Sequence, residues 1–276
     1  MAAAAQAAGA TLGLARSPHV ADFVAASWIA MVLLAARLVA EWTLLPILRA
    51  RCKGPDAEKT AFALFDNGFI AAFAGALEAY AVYLTVAENY GCTPLSPDTC
   101  IQGWPNHEIG MGQRMYMVLM FNYYLYEMLS TLMGFGTQLK PDMIVHHMAT
   151  MSLISCSYTI NLVRFGIMWQ ALFDFSNPLL HVAKIVHISE VPVLKDLMLP
   201  LFAVVFFVVR VAASPYAIVY PGLRDAPSVL SPLWAAVLIA LMFFVCGLQV
   251  FWFYKIVQLA RKGEAKEPAE PEKKKK

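Results

Sequence analysis

His146 and His147 stand side by side, and beyond them a second group of polar residues, Asp174, Asn177, His181 and Lys184, interrupts a strongly apolar sequence. A neutral imidazole can serve as a general base or as a nucleophile, and a neighbouring carboxylate can fix its tautomer and stabilise the cation that forms. That combination suits acyl transfer, with His146, His147 and Asp174 as the candidate catalytic groups. Offsets of three, seven and ten from Asp174 set Asn177, His181 and Lys184 along one helical stripe. The competing reading is that these groups only hydrogen-bond between helices and hold a bundle together. Ionisable residues within a membrane are costly, and adjacent histidines facing a second polar stripe favour function over scaffolding.

Other polar side chains could line the same chamber. Tyr123, Tyr124 and Glu127, together with Asn122 and Tyr126, lie in one apolar run, where tyrosines and asparagine also serve as interhelical contacts. Arg210 could hold a lipid phosphate or pair with a buried acid, and Trp252 could sit in an interfacial aromatic belt. Lys184, near a helix end, can snorkel to the interface. Asn177, His181, Tyr123, Tyr124, Glu127, Arg210 and Trp252 are therefore the candidate substrate-binding residues. No metal-ligand spacing is present.

The elements that must position these groups follow from composition. Of 276 residues, 59% are hydrophobic and only 14% charged, more apolar surface than one soluble core could bury. An all-α, polytopic membrane helix bundle is expected. A spanning helix needs roughly 20 mostly apolar residues. Seven runs qualify: Ala21 to Ile47, Ala61 to Val86, Met115 to Phe135, Met143 to Ile160, Leu162 to Val186, Leu197 to Val219 and Leu230 to Leu259. A tight turn near Asn161 would make the fourth and fifth antiparallel neighbours, bringing His146 and His147 toward Asn177 or His181, with Asp174 somewhat deeper. Met1 to Pro18 is alanine-rich and lacks the pattern of a cleaved signal, so the first helix is expected to target the chain and remain.

Arg49, Arg51, Lys53, Lys59, Lys140, Lys195, Arg261 and Lys262 fall in alternate loops, which by the positive-inside rule are cytosolic. The amino terminus is then lumenal and the carboxyl terminus cytosolic. Cys92 and Cys100 share a lumenal loop, where a short disulfide is expected, the alternative being two unrelated thiols. Residues 1–20 form a lumenal segment and 21–60 the first helix with its basic loop. Residues 263–276 are too polar to pack and read as a disordered cytosolic tail. The net charge of +2 carries no indication of nucleic acid.

The run Asp142-Met-Ile-Val-His146-His147, followed by Ser157-Tyr158, Asn161, Arg164, Gly166, Asp174, Leu180 and Lys184, resembles the Lag motif of the TLC domain family, best known for the ceramide synthases. The likeness extends to Gly103-Trp104-Pro105, Tyr123-Tyr124-Leu125-Tyr126-Glu127, Phe202 through Arg210 with Pro215, and Leu248 through Trp252-Phe253. It places a TLC domain over 61–262. It implies an endoplasmic-reticulum membrane protein with helices in a TLC-type barrel around a central cavity. For ceramide synthases it implies an N-acyltransferase joining a fatty acyl group from acyl-CoA to a sphingoid base, with His146, His147 and Asp174 as the active site. No bound cofactor is implied; acyl-CoA and a long-chain base are the lipid substrates, in the membrane, and a homodimer is compatible with the reading. Lys273 and Lys274 resemble a dilysine retrieval signal, or the lysines contact anionic lipid.

The chain departs from the synthase pattern at three positions. Those enzymes read His-Asp and then a second aspartate three residues on; here stand Phe173-Asp174 and Asn177, and His181 replaces a usual glutamate. Ser176-Asn177-Pro178 is more similar to other TLC branches, so the alternative is a noncatalytic TLC protein that binds lipid or regulates membrane lipid composition. The orientation is checked by protease protection. An epitope at the carboxyl terminus should be digested by protease added outside sealed microsomes and one at the amino terminus protected; the reverse pattern overturns the assignment.

Overall fold

The computed structural model describes residues 18–262 apart from Thr137; most of the amino-terminal segment, and the tail with Lys273 and Lys274, lie outside the described residues. The described residues are helical, with no strand. The helices are α1 (Ala21–Ala25), α2 (Trp28–Arg51), α3 (Ala57–Ala87), α4 (Met111–Leu132), α5 (Pro141–Thr159), α6 (Val163–Asp174), α7 (Ser176–Ile188), α8 (Leu194–Phe206), α9 (Tyr220–Val229) and α10 (Pro232–Lys262). Four stretches are long and apolar enough to cross a membrane: Ala21–Arg51, Ala57–Ala87, Leu194–Val229 and Pro232–Arg261. At 30 to 36 residues each, they exceed the roughly 20 that a bilayer core requires. This is a multi-pass membrane protein. The helices between them are shorter and more polar: α4 carries Arg114, Asn122 and Glu127, and α5 carries Asp142 and the two histidines.

Two expected runs are built differently. The run expected from 162 to 186 is divided between α6 and α7 at Phe175. Pro178 has no N–H to return to the carbonyl of Asp174, so the helical ladder is interrupted one turn before it. The run expected from 197 to 219 starts at Leu194 and continues past its expected end through α9, so the reversal falls at Leu230 and Ser231. Pro232 disfavours a helical conformation at the residue before it, which sets that boundary. Between α8 and α9 the helix widens into π-helical turns, Phe207–Ala212 and Pro215–Val219. Pro215 removes one backbone donor there, and the Ser214 hydroxyl donates to the carbonyl of Arg210. The widened turn carries Arg210, which is 5% exposed.

Lipid tails are as apolar as leucine, so helix association here cannot rest on the hydrophobic effect alone and leans on close packing and polar contacts. Trp42, Val86 and Val204 project from the bundle at 61% exposure or more, facing where lipid would be. Buried polar groups tie the helices within. Asp22 of α1 accepts from Arg114 of α4 at 2.9 Å and from the Tyr158 hydroxyl of α5 at 2.6 Å. Arg37 of α2 pairs with Asp66 of α3, both almost wholly buried, with the guanidinium against the Phe65 and Phe69 rings. Where α4, α5 and α6 converge, a Cβ on Gly166 would meet Met117 Cε and Ser157 Oγ at 3.0 Å, so hydrogen is the side chain that permits the approach.

The turn between α5 and α6 passes through Asn161 in the left-handed region, φ 62°, a conformation asparagine tolerates. The loop from Glu88 to Gly110 closes over this turn. Cys92 and Cys100 are joined by a disulfide, Asn89 donates to the Arg164 carbonyl at 3.0 Å, and the Trp104 indole donates to the Ile160 carbonyl at 2.8 Å.

Removing one member of a buried ion pair strands the other charge, at about 3–5 kcal/mol. Asp66→Leu should therefore lower the thermal unfolding midpoint sharply, and the double change Arg37→Met with Asp66→Leu should recover much of the loss. Equal losses in both variants would show that the pair is not what joins α2 to α3.

Candidate active site

A cavity of about 360 Å³ lies between α3, α4, α5, α7, α8 and α10, and His146, His147, Asp174, Asn177, His181, Arg210 and Trp252 are on its wall with Tyr123, Tyr124 and Glu127. Every catalytic and substrate-binding candidate thus borders one space. One end of its lining is marked by Lys140, Asp142 and Lys255.

Helix α5 presents both histidines inward, at 8% and 2% exposure. His147 Nδ1 lies 2.7 Å from the Met143 carbonyl of its own helix, and Nε2 lies 2.6 Å from Glu127 Oε2 of α4. A carbonyl can only accept, so Nδ1 carries a proton. Nε2 and a carboxylate oxygen then need a second proton between them, held by the imidazole or by the carboxyl. His147 and Glu127 together are a proton-bearing pair. His146 is built otherwise: its Nδ1 meets only the Thr150 hydroxyl, at 3.5 Å, and its ring packs edge-on against Trp252 and His147. Among the described residues no group hydrogen-bonds its Nε2, which leaves His146 the histidine free to take a proton.

Sequence reasoning paired the histidines with Asp174, and the geometry corrects this. The acidic partner of His147 is Glu127, because α4 packs along α5 and brings its carboxylate to the ring. Asp174, at the end of α6, is instead held by the Tyr124 hydroxyl at 3.4 Å and the Asn177 amide at 3.0 Å, with Arg210 3.9 Å away. Arg210 divides its guanidinium between Asn177 and Gln249, the latter at 2.9 Å. Its partner is thus a buried acid with two amides. The expected stripe continues only in part: Asn177 meets Asp174, whereas His181 Nδ1 turns to Asn67 of α3 at 2.8 Å. Trp252 donates to Asp142 at 3.0 Å, and Lys255 reaches the same carboxylate at 3.2 Å.

A second, smaller cavity of about 110 Å³ is largely apolar, lined by Leu153, Phe165, Trp169, Met242 and Val245 among others. Tyr124, His146, Asp174 and Arg210 border both cavities. These four polar side chains thus stand between the polar chamber, which holds the rest of the site, and a largely apolar one. No group of three or more metal-ligating side chains gathers among the described residues.

This arrangement, paired histidines of one helix facing carboxylates of its neighbours, coincides with a family match over residues 66–258, more than half of the chain, to the TLC domain. The protein belongs to the TLC domain family. Within it, the chain is 29% identical over 167 residues to ceramide synthase 4 of Mus musculus, covering 59% of this chain and 42% of that protein. It is 31% identical over 119 residues to ceramide synthase LOH2 of Arabidopsis thaliana, 42% of this chain and 40% of that one. It is 28% identical over 172 residues to Alternaria stem canker resistance protein 1 of Solanum lycopersicum, 57% of this chain and 54% of that one. The chain thus spans about 42% of the length of the first of these relatives.

Sequence reasoning did not single out Glu78 of α3 and Tyr116 of α4, both on this wall, or Gln249, which is fully buried and engages Arg210. Glu78 is, with Asp66, one of two carboxylates in an otherwise mostly apolar run, and an ionisable group so placed is itself a signal of function or pairing. Asn177→Leu would leave Asp174 Oδ1 and one Arg210 N–H without their partner, each worth about 1–3 kcal/mol when buried. The thermal midpoint should fall accordingly; an unchanged midpoint would show that Asn177 does not hold the pair.

Proposed function

We propose that this TLC protein is a ceramide synthase-like N-acyltransferase of the endoplasmic reticulum membrane, transferring a fatty acyl group from acyl-CoA to a long-chain base. The observation that carries the reading is the proton-bearing His147–Glu127 pair, 2.6 Å apart, beside His146 on the wall of a lipid-sized cavity. In this scheme His146 Nε2 accepts a proton from the amine, whose nitrogen attacks the thioester carbonyl carbon. The carbon–sulfur bond breaks, and the His147–Glu127 pair returns a proton to the departing thiolate, so that amide and free CoA are the products. Proton transfer from positioned groups of this kind contributes about 10²–10⁴-fold. Tyr124 and Arg210 hold Asp174 at the partition, and Asp174 stabilises the cation formed on the histidines.

The acyl chain would lie in the apolar cavity beyond that partition, against Trp169 and Met242. The phosphates of CoA would meet Lys140 and Lys255 at the other end. The reading takes seven membrane crossings around the cavity, with the amino terminus lumenal and the tail cytosolic, and leaves room for a homodimer. One observation favours a second reading, a TLC protein that binds lipid without turnover: Asn177, the neutral amide where the synthase pattern has its second carboxylate, is wholly engaged by Asp174 and Arg210.

Purified protein in nanodiscs, given acyl-CoA and sphinganine, should release free CoA and form the amide. His146→Ala and His147→Ala should each lower that rate about 100-fold or more. Lipid binding with no CoA release above a protein-free blank would replace the first reading with the second.

A further inference from the structure

Four acids line the larger cavity: Glu78, Glu127, Asp142 and Asp174. Three of them are matched. Glu127 has His147, Asp142 has Lys255 and Trp252, and Asp174 has Tyr124, Asn177 and Arg210. Glu78 is 7% exposed, and neither of its carboxyl oxygens has a hydrogen-bond partner. Arg210, a cation on the same wall, spends both terminal nitrogens on Asn177 and Gln249, and its Nε makes no hydrogen bond to Glu78. An unmatched carboxylate in a low-dielectric wall is expensive, by several kcal/mol for the isolated ion. An arriving cation would remove that penalty.

A second orphan lies on the same wall. The Tyr116 hydroxyl of α4 is fully buried and likewise lacks a partner. A buried carboxyl group and a buried hydroxyl, both unsatisfied and carried by residues that line one cavity, match a ligand bearing an ammonium and a hydroxyl. The flanking groups Ile70, Ala74 and Leu77 on α3 are apolar and suit a hydrocarbon chain running from that head.

We infer that Glu78 and Tyr116 form the subsite for the acceptor's head, an amino alcohol whose ammonium donates to the Glu78 carboxylate while its hydroxyl bonds the Tyr116 hydroxyl. The inference rests on the acyltransferase reading for the identity of the acceptor as a long-chain base, and it names the residues that select an amine over a neutral lipid. Glu78 is then the residue that draws the protonated base into the cavity. It receives one ammonium proton, the neutral amine attacks and passes a second proton to His146, and Glu78 gives its proton up to solvent when the product leaves.

The test is a binding competition in nanodiscs with wild-type, Glu78→Gln and Tyr116→Phe protein, independent of turnover. Octadecylamine and 1-octadecanol share a chain and differ in the charged group; sphinganine adds hydroxyls to the amine. Wild-type protein should bind octadecylamine about tenfold or more tightly than octadecanol, a margin of about 1.4 kcal/mol. Glu78→Gln should bind the two alike. Tyr116→Phe should keep the preference for amine over alcohol and lose the preference for sphinganine over octadecylamine. A wild-type protein that does not distinguish amine from alcohol overturns the inference without any variant, and so does a Glu78→Gln protein that still does. Absence of CoA release from wild-type protein with a retained amine preference would instead discard the acyltransferase reading and leave the subsite standing.

Discussion

Inside a bilayer no water is at hand to solvate a stranded charge, so each ionised side chain must find its counter-group in the protein. The architecture follows from how that demand is met. Asp22 binds α1 to α4 and α5, Arg37 and Asp66 bind α2 to α3, and Arg210 joins the α8 region to α6, α7 and α10 through Asp174, Asn177 and Gln249. The same accounting isolates Glu78, the acid on the cavity wall that this matching leaves over. Scaffold and site are thus two outcomes of one electrostatic rule.

The local chain geometry serves that rule. Pro178 interrupts the α6–α7 ladder at the point where Asp174 must face the cavity, and the π-helical turn from Phe207 to Ala212 carries the guanidinium that meets it. An uninterrupted α-helix would fix the phase of every side chain by its neighbours at 3.6 residues per turn. The irregular turns relax that phase where two charged groups from different helices have to converge.

Much of this was legible in the sequence. Polar residues in apolar runs stand out, so His146, His147, Glu127, Asp174, Arg210 and Trp252 could be named as site residues, and all of them border one cavity. What could not be read was which acid belongs to which base. The partner of His147 depends on the rotation of α4 about its own axis and on its packing against α5, and neither is encoded in spacing along one helix. The division of α6 from α7 was readable in principle from Pro178, but the helical spacing of Asp174, Asn177, His181 and Lys184 across it suggested one unbroken helix. Glu78 went unremarked because one carboxylate has no periodicity to announce its face.

The partition formed by Tyr124, His146, Asp174 and Arg210 belongs to both cavities, whereas Trp169 and Met242 border only the apolar one and Leu180 and Phe202 only the polar one. Substitutions in the shared wall disturb both compartments at once, while those confined to either lobe leave the other unaltered. Selectivity for the two ends of a guest can therefore drift separately during descent, so long as the four boundary residues stay in place.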